Sequence, residues 1–119
     1  MTNRRYALLL PIAFLLAHVR TVEGHAVLLS AIPETGKILP GPEAPVRLRF
    51  NSRIDGKRSK LMLIAPDGSR NSLDIGNQPS PDTLTSKVKN LKSGSYVIQW
   101  QVLANDGHIT RGEVSFRVQ

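Results

Sequence analysis

Turn-forming residues recur roughly every 8 to 12 positions between residues 25 and 119, and polar and apolar side chains alternate between the turns. The clearest stretch is VRLRFN (46–51), where Val46, Leu48 and Phe50 share one side. Residues two apart on a strand point to the same face, so this pattern predicts strands with one buried side. No stretch has the periodicity of an amphipathic helix. These features predict an all-β domain, a small sandwich or barrel.

About seven strands are predicted, at 25–33, 46–51, the two arms of a hairpin within 59–75, 83–91, 94–105 and 112–118. The segment 33–45 has four prolines and two glycines, so a loop is predicted there. Short strands joined by proline-rich connections favour an immunoglobulin-like Greek-key β-sandwich over a closed barrel. Trp100 lies within the most apolar strand and is predicted to be a core residue.

Residues 1–24 have the pattern of a cleaved secretory signal peptide: two arginines, a short apolar run, then polar and small residues. The apolar run falls short of the roughly 20 residues that a membrane-spanning helix needs. The small-residue rule favours a cut between Gly24 and His25, with cuts after Ala17 or Val19 as alternatives. We therefore expect a mature domain of residues 25–119 that is periplasmic, monomeric and not stably inserted in a membrane.

The composition excludes several functions. Without residues 1–24 the chain loses three arginines and one glutamate, so 16 basic and 9 acidic residues become 13 and 8, and the net charge falls from +7 to +5. The charges are spread thinly and the aromatic residues fall in strand-like runs, so nucleic-acid binding is not predicted. The chain has no cysteine, which excludes disulfides and thiolate metal ligands. It also has no motif typical of a nucleophilic hydrolase or a P-loop, and no enzyme activity is predicted.

The placement of two histidines suggests a metal site. After cleavage at the favoured position, His25 would offer its α-amine and its imidazole Nδ1, which can chelate one ion. Asp106 and His108 lie two apart in NDGHITRGEV (105–114) and can converge on one place. Three nitrogens and one oxygen suit Cu(II) in a tetragonal arrangement, whereas Zn²⁺ would prefer a tetrahedral one. The alternative is that NDG is an ordinary turn and His108 a solvated loop residue.

The segments HAVLLSAIPETG, VRLRFNSRI and LKSGSYVIQWQVLANDGHITRGEVSFRV, with the spacing between them, resemble the CopC family of periplasmic copper-binding proteins. The resemblance covers nearly all of residues 25–119. It implies a seven-stranded Greek-key β-sandwich that binds Cu(II), without catalytic activity. It also implies a role in copper resistance or delivery, often near a CopD-type inner-membrane partner. Carried over by position, the implied ligands of one Cu(II) ion are His25, Asp106 and His108.

The chain departs from some members of this family in two places. Where those members have an acidic residue after the RF strand, this chain has Ser52 with Asn51 beside it, and Asp55 is too far along to be a clear replacement. The mature chain has a single methionine, Met62, so a thioether Cu(I) site is not predicted. Thr110 and Arg111 are candidates for residues that contact the metal ligands without binding the ion themselves.

Two other functions remain open from the sequence. An amino-terminal histidine with a second histidine also resembles the histidine brace of copper-dependent polysaccharide monooxygenases, which are longer β-sandwiches. The domain could instead be a metal-free immunoglobulin-like interaction module. That reading gains weight if cleavage occurs after Ala17 or Val19, because His25 then lacks a free amine.

Overall fold

The computed structural model describes residues 25–119, and the predicted signal peptide lies outside the described residues. This part of the chain forms eight strands and one 3-10 turn, Gly56–Arg58. The strands are β1 (Leu28–Ile32), β2 (Lys37–Leu39), β3 (Ala44–Phe50), β4 (Lys60–Ile64), β5 (Arg70–Leu73), β6 (Thr83–Val88), β7 (Gly94–Leu103) and β8 (Ile109–Val118). Within 25–119, no helix has the length and apolar character needed to cross a bilayer.

The strands form two sheets. A three-stranded sheet has the order β1-β3-β6 and a five-stranded sheet has the order β2-β8-β7-β4-β5. All neighbours are antiparallel except β2 and β8, which run parallel. The prediction of an all-β sandwich is confirmed.

The core lies between the two sheets and follows the alternation seen in the sequence. On β3, Val46, Leu48 and Phe50 are buried, while the arginines between them are exposed. On β7, Tyr96, Ile98, Trp100 and Val102 are buried. The rings of Phe50 and Trp100 meet edge to face with centroids 5.1 Å apart, a favourable aromatic geometry. This contact joins the two sheets and confirms Trp100 as a core residue.

The structure differs from the sequence prediction at two strands. The predicted loop 33–45 contains the short strand β2, which is held by hydrogen bonds from the Gly36 N–H to the Ser115 carbonyl (2.8 Å) and from the Gln119 N–H to the Leu39 carbonyl (2.9 Å). The last strand begins at Ile109 rather than at residue 112, because it pairs with β7 all the way from Leu103↔Ile109. The turn that carries Asp106 and His108 is therefore shorter than predicted, because it is closed by the pairing of Leu103 with Ile109.

Candidate metal centre

The β7–β8 turn is fixed by backbone hydrogen bonds at the end of the longest hairpin. The Ala104 N–H donates to the His108 carbonyl and the Gly107 N–H donates to the Ala104 carbonyl, each at 2.9 Å. Gly107 has φ of +91°, a conformation that side chains disfavour, so glycine is needed for the chain to reverse here. The Asn105 N–H also donates to the Arg53 carbonyl at 2.9 Å. The backbone that presents Asp106 and His108 is thus held from both sides.

Asp106 and His108 form a two-point contact. Asp106 Oδ1 accepts from the backbone N–H of His108 and Asp106 Oδ2 lies against His108 Nδ1, each at 3.0 Å. The hydrogen bond from the His108 N–H, aided by the one to its ring, lowers the pKa of Asp106, so the carboxyl is ionised at neutral pH. A carboxylate can only accept, so the shared hydrogen sits on Nδ1. His108 therefore has Nε2 as the nitrogen available to an ion.

His25 lies beside His108 although the strands β1 to β7 separate the two residues along the chain. The centroids of the two imidazole rings are 5.7 Å apart and the rings are tilted by 48°. Both side chains are exposed to solvent. The structure thus brings the two imidazole rings close together, and that they share one ion stays a prediction.

The two residues that follow His25 are held in place by burial and by backbone hydrogen bonds. Ala26 is buried, with 2% of its surface exposed, and the two backbone groups of Val27 are both hydrogen-bonded to Asn51. The contact of Asn51 with the amino-terminal segment had no signal in the sequence beyond its place directly after β3.

The three predicted ligands are near one another but are not gathered into a ready ligand set. Within residues 25–119 there is no group of three or more histidine, cysteine, aspartate or glutamate side chains in a geometry suited to one ion. Both oxygens of Asp106 are directed to His108. Two imidazoles side by side remain a donor pair that suits copper or zinc.

The other residues named from the sequence make contacts elsewhere. Asp55 accepts from the Lys57 and Arg58 N–H groups and so caps the 3-10 turn. The Ser52 hydroxyl makes only a long hydrogen bond, at 3.5 Å, to the Arg53 carbonyl. Neither contact links these side chains to the two histidines.

The candidate supporting residues and the methionine are also placed. The Arg111 guanidinium donates to Gln101 Oε1 at 2.9 Å. Thr110 Oγ1 is buried and has no hydrogen-bond partner in the described part of the chain. Met62 lies within β4, paired with Gln99 on β7 and Ser72 on β5.

Comparison with known proteins points to one family. The CopC domain family matches residues 28–119. Among solved structures, the chain is similar to CopC from Methylosinus trichosporium OB3b, with 29% identity and a TM-score of 0.74 over 80% of this chain and 94% of that one. It is also similar to PcoC, a methionine-rich copper resistance protein from Escherichia coli, with 22% identity and a TM-score of 0.64 over 80% and 99% of the two chains. No similar sequence was found among proteins of curated function.

Proposed function

The chain belongs to the CopC family, and we propose that it is a periplasmic copper-resistance protein that binds one Cu(II) ion through His25, Asp106 and His108. Proteins of this family are copper-binding resistance proteins and not enzymes, which confirms the expectation of a copper-binding protein without catalytic activity. The family assignment therefore disfavours the alternative of a copper monooxygenase.

The observation that carries this proposal is the approach of the His25 and His108 rings to 5.7 Å between centroids. An ion bound at about 2 Å to one nitrogen of each ring holds those nitrogens within about 4 Å of each other. Both rings are exposed, so no core packing opposes the side-chain rotations that would bring one nitrogen of each ring within that distance. Residues from the two ends of the described chain could then share one ion.

Cleavage between Gly24 and His25 would complete the nitrogen set. In the uncut chain the His25 nitrogen is part of a peptide bond, which is not a useful ligand at neutral pH. The freed α-amine has an ordinary pKa near ~8, so an ion displaces its proton readily. The amine, the His25 Nδ1 and the His108 Nε2 then supply three nitrogens. For such donors Cu(II) has the highest affinity among the divalent first-row metals.

Asp106 has two possible roles at the ion, and both follow from its contact with His108. In the described geometry it orients the His108 ring and leaves Nε2 for the metal, the usual outer partner of a ligating histidine. A rotation that releases Oδ2 from Nδ1 would make it the fourth ligand. The proposal assigns the fourth position to Asp106, so binding includes this rotation.

The location and partners belong to the same proposal. The signal-like residues 1–24 would direct export, and the mature domain would act as a monomer in the periplasm. Sequestration and delivery to a CopD-type inner-membrane protein are both compatible with a surface-exposed site.

The test is a Cu(II) titration of the domain beginning at His25, in competition with a chromogenic chelator. A matched protein carries one extra glycine before His25, and a control carries the extra glycine after Gln119. We expect the amino-terminal glycine, but not the carboxy-terminal one, to lower the affinity by more than about tenfold, since it removes the chelate ring. Equal affinity of all three proteins would refute the amino-terminal site, and no Cu(II) binding by any of them would favour the metal-free interaction module.

A further inference from the structure

The residue that ties the amino-terminal segment to the sandwich is Asn51, at the end of β3. Its Oδ1 accepts from the Val27 N–H at 2.8 Å, and its own N–H donates to the Val27 carbonyl at 3.0 Å. The paired register of β1 and β3 ends at Leu28↔Phe50. Asn51 thus adds one more pair of hydrogen bonds beyond the end of the paired strands. One of the two is made by its backbone N–H and the other by its side-chain Oδ1.

The position of this clamp matters because of its distance from His25. Only Ala26 lies between His25 and the clamped Val27, and Ala26 is itself buried in the core. Chain termini are poorly ordered unless they are tied down. With Val27 held by two hydrogen bonds, the mobile part of a processed chain would be His25 alone.

Resting on the proposed function, we propose that Asn51 is a positioning residue for copper: it holds Val27 so that the α-amine and imidazole of His25 stay beside His108. In this role Asn51 does not bind the ion, and its Oδ1 accepts from the Val27 N–H. A site whose competent arrangement is populated only part of the time has an affinity reduced by that fraction. Loss of the clamp would let the first three residues fray and lower that fraction.

The clamp lies at the surface, so it can be removed without opening the core. Asn51 is exposed, and its neighbours Phe50 and Leu48 fill the interior. The variant Asn51→Leu has a side chain of similar size but no acceptor, so the Val27 N–H is left to solvent. The variant Asn51→Asp keeps an oxygen acceptor at the same reach. Ser52→Ala is the matched control, because Ser52 is the adjacent residue and its hydroxyl makes only the 3.5 Å contact with Arg53.

The first measurement is hydrogen exchange of the copper-free domain beginning at His25. We expect the Val27 amide to be protected in the parent protein, in Ser52→Ala and in Asn51→Asp, and to exchange faster in Asn51→Leu. The second measurement is Cu(II) affinity. We expect Asn51→Leu to bind about 10-fold to 100-fold more weakly, the range seen when a residue supporting a ligand is lost, with Asn51→Asp restoring binding to within a few-fold.

The third measurement separates positioning from ligation. The electron paramagnetic resonance spectrum of Cu(II)-loaded Asn51→Leu should match that of the parent, because the ligands are unchanged. A shift of the copper g and hyperfine values with an unchanged nitrogen pattern would indicate that an oxygen ligand has been lost, which would make Asn51 a ligand and overturn the proposal. Parent-like affinity of Asn51→Leu, or an unprotected Val27 amide in the parent, would overturn it too. If the extra glycine before His25 still weakens binding in those cases, the proposed function stands and only the role of Asn51 fails.

Discussion

Replacing Gly112 with alanine should destabilise the domain, because the added methyl group would collide with the indole of Trp100. Gly112 and Trp100 are directly paired on β8 and β7. A Cβ built at Gly112 lies 2.6 Å from Trp100 Cε2 and closer still to Cζ2, whereas ordinary contact begins near 3.4 Å. The obstacle is a rigid ring and not the end of a flexible side chain.

The indole has little room to move. Trp100 is 7% exposed, and its ring packs edge to face with that of Phe50 from the other sheet, with the ring centroids 5.1 Å apart. Overpacking of this kind typically costs about 1–3 kcal/mol. Alanine recovers at most about 0.5–1 kcal/mol of the conformational entropy that glycine loses in a strand. We therefore expect a net loss of up to about 2.5 kcal/mol from the free energy of unfolding. Each kcal/mol lowers Tm by about 4–8 °C in a domain of this size.

Urea denaturation followed by tryptophan fluorescence measures this loss, since Trp100 is the only tryptophan in the chain. Gly76→Ala is the control: its added Cβ would meet Thr85 Oγ1 at 3.2 Å and the Thr85 carbonyl oxygen at 3.8 Å, contacts far less severe than the one at Gly112. Trp100→Phe should cost less in the Gly112→Ala background than in the parent, as measured by circular dichroism, because the smaller ring relieves the collision. If Gly112→Ala unfolds at the same urea concentration as Gly76→Ala, the steric reasoning is wrong.

Two further predictions concern stability. Leu48→Ala, at a fully buried position on β3, should lower the free energy of unfolding by about 2–5 kcal/mol, measured by urea denaturation; a loss below about 1 kcal/mol would mean that the two sheets close over the gap. The hydroxyls of Ser80 and Thr83, with Arg49 nearby, lower the pKa of Asp82 in the folded protein. The ionised Asp82 therefore stabilises the fold at pH values above the pKa that its carboxyl has in the unfolded chain, and this stabilisation is lost as the pH falls through the lowered pKa. Asp82→Asn should therefore be less stable than the parent near pH 7, with the difference shrinking in thermal melts below roughly pH 4; a constant difference would refute this.

The fold was largely predictable because the buried face of a strand shows as alternating apolar residues within one short stretch of sequence. The alternation of Val46, Leu48 and Phe50 gave the buried side of β3 without reference to any other strand. The strand β2 was not predictable, because its three residues are flanked by prolines and it forms only by pairing with β8, far along the chain. Nothing local in Lys37–Leu39 indicates that pairing.

The candidate site was predictable to the level of residue types but not of contacts. His25, Asp106 and His108 are predicted ligands on the basis of the signal-peptide pattern and the spacing in the turn, and the resemblance to the CopC family implies the same three residues. That both Asp106 oxygens are directed to His108 depends on the turn geometry at Gly107. The bond between Asn51 and Val27 joins residues 24 apart, and it depends on the exact register of β1 on β3. Such hydrogen bonds are set by three-dimensional placement rather than by pattern.

The two histidines lead into strands of different sheets: the chain runs from His25 into β1 of the three-stranded sheet, and from His108 into β8 of the five-stranded sheet. An ion shared by both would be a cross-link between the layers of the sandwich. The loop closed by that cross-link includes most of the chain from 25 to 119, and the entropy that a cross-link removes from the unfolded chain grows with the length of the loop. Copper occupancy and resistance to unfolding should therefore rise and fall together.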